Sequence, residues 1–333
     1  MKFYLAPLEG ITTYIYRNAY HHTFLPMDKY FTPFLVPRQK RSFSSRERND
    51  ILPEHNQGLF VVPQLLTNKA KDFIQAAQVL AEYGYEEVNL NLGCPSGTVT
   101  AKGKGAGFLA RPAELDQFLE EIFSSLTQRI SIKARIGMED PQEFGALLKI
   151  FNQYPLEELI IHPRVREDFY KNPPNLQVFG EALRESAHLV CYNGNLFSRQ
   201  DFENLQQRFQ GITAVMLGRG AIANPWLHQE CIGLPSGWAG QDGEPGQGAA
   251  KEKKRQFQEF HALVCQGYQE ILSGERDVLY KMKEFWSYMA QSFSNYGPYV
   301  KQIKKANSLQ GYGRAVDALF GEQEVINHGR FSF

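Results

Sequence analysis

The sequence predicts an α/β fold: a (β/α)8 TIM barrel followed by a small C-terminal helical domain. Three observations predict it. Short β-rich runs alternate with segments of helical periodicity through about 230 residues, enough for eight units. Several of those runs are almost continuously apolar, as parallel strands buried on both faces are. No Gly-x-Gly-x-x-Gly follows the first strand, which argues against a doubly wound nucleotide-binding sheet.

The candidate strands, in order, are Phe3–Pro7, Lys29–Leu35, Leu59–Leu65, Glu87–Leu92, Ile130–Ile136, Glu158–His162, His188–Tyr192 and Ala214–Leu217. Between them, Leu115, Phe118, Leu119, Ile122, Phe123 and Leu126 fall on one helical stripe, with Pro112 in its first turn. Phe144, Leu147, Leu148 and Phe151 form another stripe, and Asn68 and Ser198 are the N-caps expected for two further helices. Residues Gly233–Ala250 are rich in Gly, Pro, Ser and Gln and carry no Lys or Arg, the composition of a flexible linker. Phe257–Leu272 and Val278–Ser292 then read as helices. The expected organisation is a barrel over 1–232, a linker over 233–250 and a helical domain over 251–333.

With 333 residues, 43% of them hydrophobic, the chain can bury a barrel core plus an accessory module. No apolar run approaches the roughly 20 residues of a membrane span. The run Met1–Pro7 is strand-like and lacks a signal-peptide core. A cytoplasmic monomer with no membrane partner is expected. The cysteines Cys94, Cys191, Cys231 and Cys265 show no Cys-x-x-Cys spacing, so neither a metal site nor a disulfide framework is expected. Net charge is zero, which gives no overall drive toward nucleic acid. The distribution is less even: residues 251–333 carry a small basic excess, and Glu47 is the sole acid among the five basic residues of Arg38–Arg48. That run reads equally as a solvated loop or a phosphate-contacting patch.

A barrel places its chemistry at the C-terminal ends of its strands. Those ends read Ala6-Pro7-Leu8-Glu9-Gly10, Gln64, Asn91-Leu92-Gly93-Cys94-Pro95, Lys133-Ala134-Arg135, His162, Asn193-Gly194-Asn195 and Gly218-Arg219-Gly220. Each has a plain structural reading: His162 as a core histidine, Cys94 as a small residue in a turn, Gly218–Gly220 as a tight connection. Lys133 resists one, because burying an unpaired ammonium inside an apolar run is costly. Core packing alone does not produce seven polar or Gly-rich clusters at seven strand ends. Gly218-Arg219-Gly220 beside Asn193-Gly194-Asn195 matches the phosphate site that the last two βα loops of a barrel build, and one phosphate suits FMN better than a dinucleotide. Cys94 precedes a loop with Lys102, Gly103, Lys104, Gly105 and Gly107, which reads as mobile enough to close over a substrate.

At these residues the sequence resembles the tRNA-dihydrouridine synthases, flavoproteins with an FMN-binding barrel and a C-terminal helical domain. The matching segments span the chain: Leu5–Thr12, Val88–Pro95, Ile132–Arg135, Ile160–His162, Tyr192–Asn195 and Met216–Ala221, with Asn224-Pro225-Trp226 after them. The resemblance implies that FMN mediates reduction of the C5–C6 double bond of D-loop uridines in tRNA, with NADPH or NADH as reductant. It implies that Pro7, Leu8 and Glu9 line the flavin through their backbone, and that Gln64, Lys133 and His162 contact it by side chains. It further implies that Asn193, Gly194, Asn195, Gly218 and Arg219 hold the phosphate, that Cys94 is the general acid, and that Asn91 and Arg135 face the uridine. The helical domain would hold tRNA with Lys281, Lys283, Lys301, Lys304 and Lys305 near Trp286, Tyr288 and Tyr296. A helix with core aromatics and a solvated basic face has the same pattern.

The sequence departs from the family pattern at Gly97, where a lysine is usual, and Lys102 or Lys104 is the expected substitute. It departs also at Pro163 and Val165 around Arg164, at Thr13, and at Pro33.

Overall fold

The computed structural model describes residues 1–38, 43–234 and 249–326. Lys40 and Arg41 of the basic run and most of the expected linker lie outside the described residues. Two compact units, each of non-contiguous segments, make up the chain. The first contains Met1–Glu9, Asp28–Asn195 and Gln206–Leu217; the second contains Gly10–Met27, Leu196–Leu205 and the chain from Gly218 onward.

The first unit holds an all-parallel sheet of β1 (Lys2–Leu5), β2 (Lys29–Phe31), β3 (Val61–Val62), β4 (Gln64–Leu65), β5 (Glu87–Leu92), β6 (Arg129–Arg135), β7 (Leu159–His162), β8 (Val190–Tyr192) and β9 (Ala214–Leu217). Its hydrogen-bonded order is β3-β2-β1-β9-β8-β7-β6-β5-β4. The two end strands are consecutive in the chain, separated by Pro63 alone, so the order closes on itself: eight strand positions form a TIM-type barrel. Pro63 has no N–H for the ladder, which splits the third position into β3, paired with β2, and β4, paired with β5. Pro33 likewise ends the second strand early, leaving Leu35 a lone bridge to Leu65.

Strand side chains alternate between barrel interior and helical layer. Tyr4, Ala6, Phe31, Val62, Ile160, Cys191, Ala214 and Met216 form one buried interior cluster, with Leu8 packed against it. Where β4, β5 and β6 meet, the interior is polar and linked by a chain of hydrogen bonds. Asn91 donates to Gln64 (2.6 Å), Gln64 to Asn89 (2.8 Å), Asn89 to Ser131 (2.9 Å) and Ser131 to Glu87 (2.8 Å). Lys29 continues the chain, donating to Glu87 at 2.8 Å and to Glu158 at 2.6 Å, and Tyr4 donates to Glu158 at 3.2 Å. Charges are tolerated there because they are paired.

The outer helices follow the stripes read in the sequence. Pro112–Ser125 buries Leu115, Phe118, Leu119 and Ile122, and Glu143–Phe151 buries Phe144, Leu147, Leu148 and Phe151. Ala70–Glu82 is not capped by Asn68; Lys69 is its N-cap and makes no side-chain bond, while the Asn68 amide donates to Lys102 O. Ser198 does cap Arg199–Arg208, accepting from Asp201 N, and Asp201 accepts in return from Ser198 N.

The second unit is helical. Tyr14–Thr23 packs with Ala249–Ile271, close enough that a Cβ on Gly267 would lie 2.7 Å from Ile15. Glu275–Met289, Gly297–Lys305 and Leu309–Glu322 complete it, the last two without an earlier signal strong enough to delimit them. Its core is aromatic: Tyr16 stacks on Phe285 at 5.8 Å and Phe257 on Phe293 at 5.4 Å. Trp286, expected beside RNA, belongs to this core, 1% exposed and donating to Tyr312 Oη at 2.7 Å. No helix among the described residues is long and apolar enough to cross a membrane.

Candidate active site

The residues singled out on β5 and β6 converge at the C-terminal end of the barrel. Register places Asn91 opposite Lys133, and period-two alternation puts both, with Arg135, on the interior side. Asn91 Oδ1 accepts from Gly93 N (3.0 Å) and Cys94 N (2.9 Å), while its amide donates to Gln64. Expected to face a uridine, Asn91 in the structure clasps the turn that carries Cys94. Arg135 has a similar task. Its Nε donates to Gly93 O (3.1 Å), Nη1 to Val165 O (2.8 Å) and Nη2 to Phe169 O (2.8 Å), so one buried guanidinium ties two loops together.

Cys94 is half-buried. Burial pushes its thiol above the ordinary range, against opposing pulls from Ser96 N–H, Arg135 and Lys133, so it is protonated at neutral pH. The Lys133 ammonium has no acceptor or carboxylate partner among the described residues; burial first, and Arg135 second, push it down to about 8. An orphan cation in that position fits an electron-rich ligand edge. The loop after Cys94, read as mobile, is folded down. Gly105 (φ +57°) and Ala106 pack on Cys94, whose carbonyl accepts from Ala106 N at 3.1 Å. A Cβ on Gly107 would lie 2.5 Å from Thr100 O.

At the end of β7, His162 Nε2 lies 3.0 Å from Arg164 Nη1. Guanidinium can only donate, so Nε2 accepts and the ring proton sits on Nδ1. Arg164 also donates from Nη2 to Asn195 Oδ1 at 3.2 Å, joining the ends of β7 and β8. Asn193 donates its amide to Met216 O at 2.9 Å, and Gly194 lies so close over Tyr192 that a Cβ would meet its hydroxyl at 2.1 Å. Pro7 and Leu8 are half-buried beyond β1; Glu9 is exposed and 3.6 Å from Arg46. In the second unit, Gly218 precedes the short helix Arg219–Ala223, and Arg219 lies over the Phe197 ring at 5.6 Å. Gly220 admits no side chain, since a Cβ would lie 2.0 Å from Leu196 O.

Lys102 and Lys104 are the substitutes expected for the cation missing at Gly97. Lys102 is exposed, and the charged neighbours of Lys104 are Asp72, Lys102 and Lys69. Arg166 stands beside Gly97: its Nη2 is 3.9 Å from where a Gly97 Cβ would be, its Nε donates to Pro95 O at 3.2 Å, and Nη2 reaches Thr100 Oγ1 at 3.4 Å. The strands point to this site; Arg166, arriving from a loop far along the chain, carried no signal of its own.

The family profile described as Dihydrouridine synthase (Dus) matches residues 4–325. The chain is 26% identical over 227 residues to tRNA-dihydrouridine synthase B of Pasteurella multocida (strain Pm70), covering 68% of this chain and 67% of that protein. It is 26% identical over 239 residues to the probable tRNA-dihydrouridine synthase 2 of Bacillus subtilis (strain 168), covering 68% and 71%. In fold it is similar to histamine dehydrogenase from Rhizobium sp. 4-9, with a TM-score of 0.53 at 13% identity. That likeness covers 69% of this chain but under half, 45%, of the dehydrogenase.

Proposed function

This chain belongs to the dihydrouridine synthase family of flavin-dependent oxidoreductases, and from that premise we propose that it reduces D-loop uridines of tRNA to dihydrouridine, with Cys94 as general acid. The observation that carries the reading is a protonated, half-buried thiol, clasped by Asn91 at a barrel strand end and flanked by the charges of Lys133 and Arg135.

FMN, when bound, supplies a hydride to uracil C6, NADPH being the reductant. Lys133 would meet the electron-rich edge of the ring, with Gln64 and His162 as side-chain contacts and Pro7, Leu8 and Glu9 as backbone contacts. Gln64 is fully buried, its amide held from both sides by Asn89 and Asn91. Asn193, Gly194 and Asn195 would hold the phosphate.

Hydride addition at C6 leaves negative charge on C5 and O4. The Cys94 S–H bond then breaks, its proton forms the new C5–H bond, and the sulfur keeps the electron pair. Burial keeps the acid loaded beforehand, and Arg135 and Lys133 stabilise the thiolate that results. Asn91 and Arg135 serve this step by holding the Cys94 turn. The uridine must leave the folded tRNA to reach the thiol, which favours a loop base over a paired one. Exposed lysines of the helical unit would hold the tRNA.

Nucleoside mass spectrometry of tRNA from a strain lacking the gene, mapped by position, tests the proposal. The expected result is loss of dihydrouridine at defined D-loop positions. An unchanged dihydrouridine content at every position would contradict it.

A further inference from the structure

We propose that Phe169 and Tyr170 form a stacking platform for the unpaired base next to the target uridine, an inference that rests on the tRNA reading above. Among the described residues of the first unit, the large exposed hydrophobics are Met1, Phe60, Phe169, Tyr170 and Leu189. Met1, Phe60 and Leu189 each immediately precede a strand, at the end of the barrel away from the site. Phe169 (37% exposed) and Tyr170 (50% exposed) instead follow β7, at the end where Cys94 lies.

Their placement is enforced. Phe169 has φ +47°, a backbone conformation that an L side chain rarely adopts. Residues held so cluster at ligand-binding sites, because only surrounding structure keeps them there. Here that structure is the Arg135 bond to Phe169 O, the Phe169 N–H bond to Arg166 O at 3.1 Å, and Asp168 Oδ2 accepting from Val165 N at 3.0 Å. The ring it presents is covered on one side by Arg166 and keeps 37% of its surface open to solvent.

Each ring also has a guanidinium against it. Arg166 lies 5.1 Å from the Phe169 centroid and Arg135 5.5 Å from that of Tyr170, whose ring is 5.9 Å from His162. The same two guanidiniums bond to Pro95 O and Gly93 O, on either side of Cys94. The rings are therefore in register with the acid. Glu167 pairs with Arg166, and Asp168 is used inside its own loop, bonding Asn172 and Val165. A nucleobase is the occupant this fits. A uridine drawn out of its stack leaves its neighbour with an uncovered π face, and exposed aromatics beside arginine are how proteins cover such a face.

The test uses the full chain, unmodified tRNA transcript, and the same transcript made abasic at either neighbour of the target uridine. Phe169→Gly is the main variant, because glycine accepts the backbone conformation and removes only the ring; Tyr170→Leu is the second. FMN content should be unchanged, and both variants should unfold cooperatively like wild type. Binding of intact tRNA should weaken roughly 5- to 150-fold, the loss of one stacked base. One of the abasic transcripts should bind wild type as weakly, and the variant should add no further loss on it. Unchanged affinity in both variants, or losses that add, would overturn the platform. If wild type makes dihydrouridine while both variants bind normally, only this inference fails; if wild type makes none, the proposed function itself fails.

Discussion

Lys133 on β6 and Cys94 just beyond β5 respond to burial in opposite senses. Burial disfavours the charged form of each, so the thiol rises and the ammonium falls, to about 8. For Cys94 the acid form is available throughout the neutral range and is lost only as pH climbs through its raised value. For Lys133 the folded chain without cofactor binds fewer protons than the unfolded chain between about 8 and the ordinary lysine value near 10.4. Its burial thus costs stability at neutral pH, and that cost is relieved as pH rises through 8. A flavin edge against the ammonium should reverse this by drawing the proton back. FMN binding at pH 8 should therefore take up about half a proton, measured by calorimetry in two buffers of different ionisation heat. Lys133→Met should abolish the uptake. No uptake by wild type would place Lys133 away from the flavin. Both residues were legible in the sequence, Lys133 because a lysine is out of place in an apolar strand and Cys94 because it stands in a Gly/Pro turn at a strand end. Arg166 was not, because its meaning depends on Gly97 leaving room for it across the fold.

At the level of elements, the strands were readable as apolar runs, but their interior chemistry was not. Period two shows that Glu87, Asn89 and Asn91 share a face; it cannot show that Lys29 from another strand neutralises Glu87 and Glu158 together. Pairing of that kind is set by barrel closure, which only tertiary structure specifies. The ladder makes a sharp prediction. Lys29→Met leaves two buried carboxylates without their cation and should destabilise the barrel by about 3–5 kcal/mol, read from the midpoint of urea unfolding. A midpoint that does not move would mean the carboxylates take up protons or water at little cost. The helix caps divide the same way: Ser198 is flanked by a partner it can bond within three residues, whereas Asn68 is diverted to Lys102 O by a loop the local pattern does not reveal. The third strand position, read as one run, is cut by Pro63, a break that was visible as a proline and is explained by its missing donor.

For the whole molecule, the helical unit supplies the RNA-binding half of the proposal. Lys281 and Lys283 are engaged within it, donating to Gly10 O and Ala306 O, while Lys301, Lys304 and Lys305 stand exposed on Gly297–Lys305. If those three neutralise phosphates, each contributes roughly −0.7 to −0.9 to the dependence of log affinity on log salt. Replacing all three with Gln should weaken tRNA binding and flatten that slope by about two units, with FMN content unchanged. An unchanged slope would make them a solvated helix face and leave the phosphate contacts to the loops of the first unit. The proposed chemistry turns on one atom, the Cys94 sulfur. Purified wild-type and Cys94→Ala protein, each supplied with NADPH and unmodified tRNA, test it most directly by the rate at which dihydrouridine appears in the digested RNA. Wild type should form it; Cys94→Ala should keep FMN and accept electrons from NADPH, yet form dihydrouridine about 10²- to 10⁴-fold more slowly. Equal rates, or no dihydrouridine from wild type, would contradict the account.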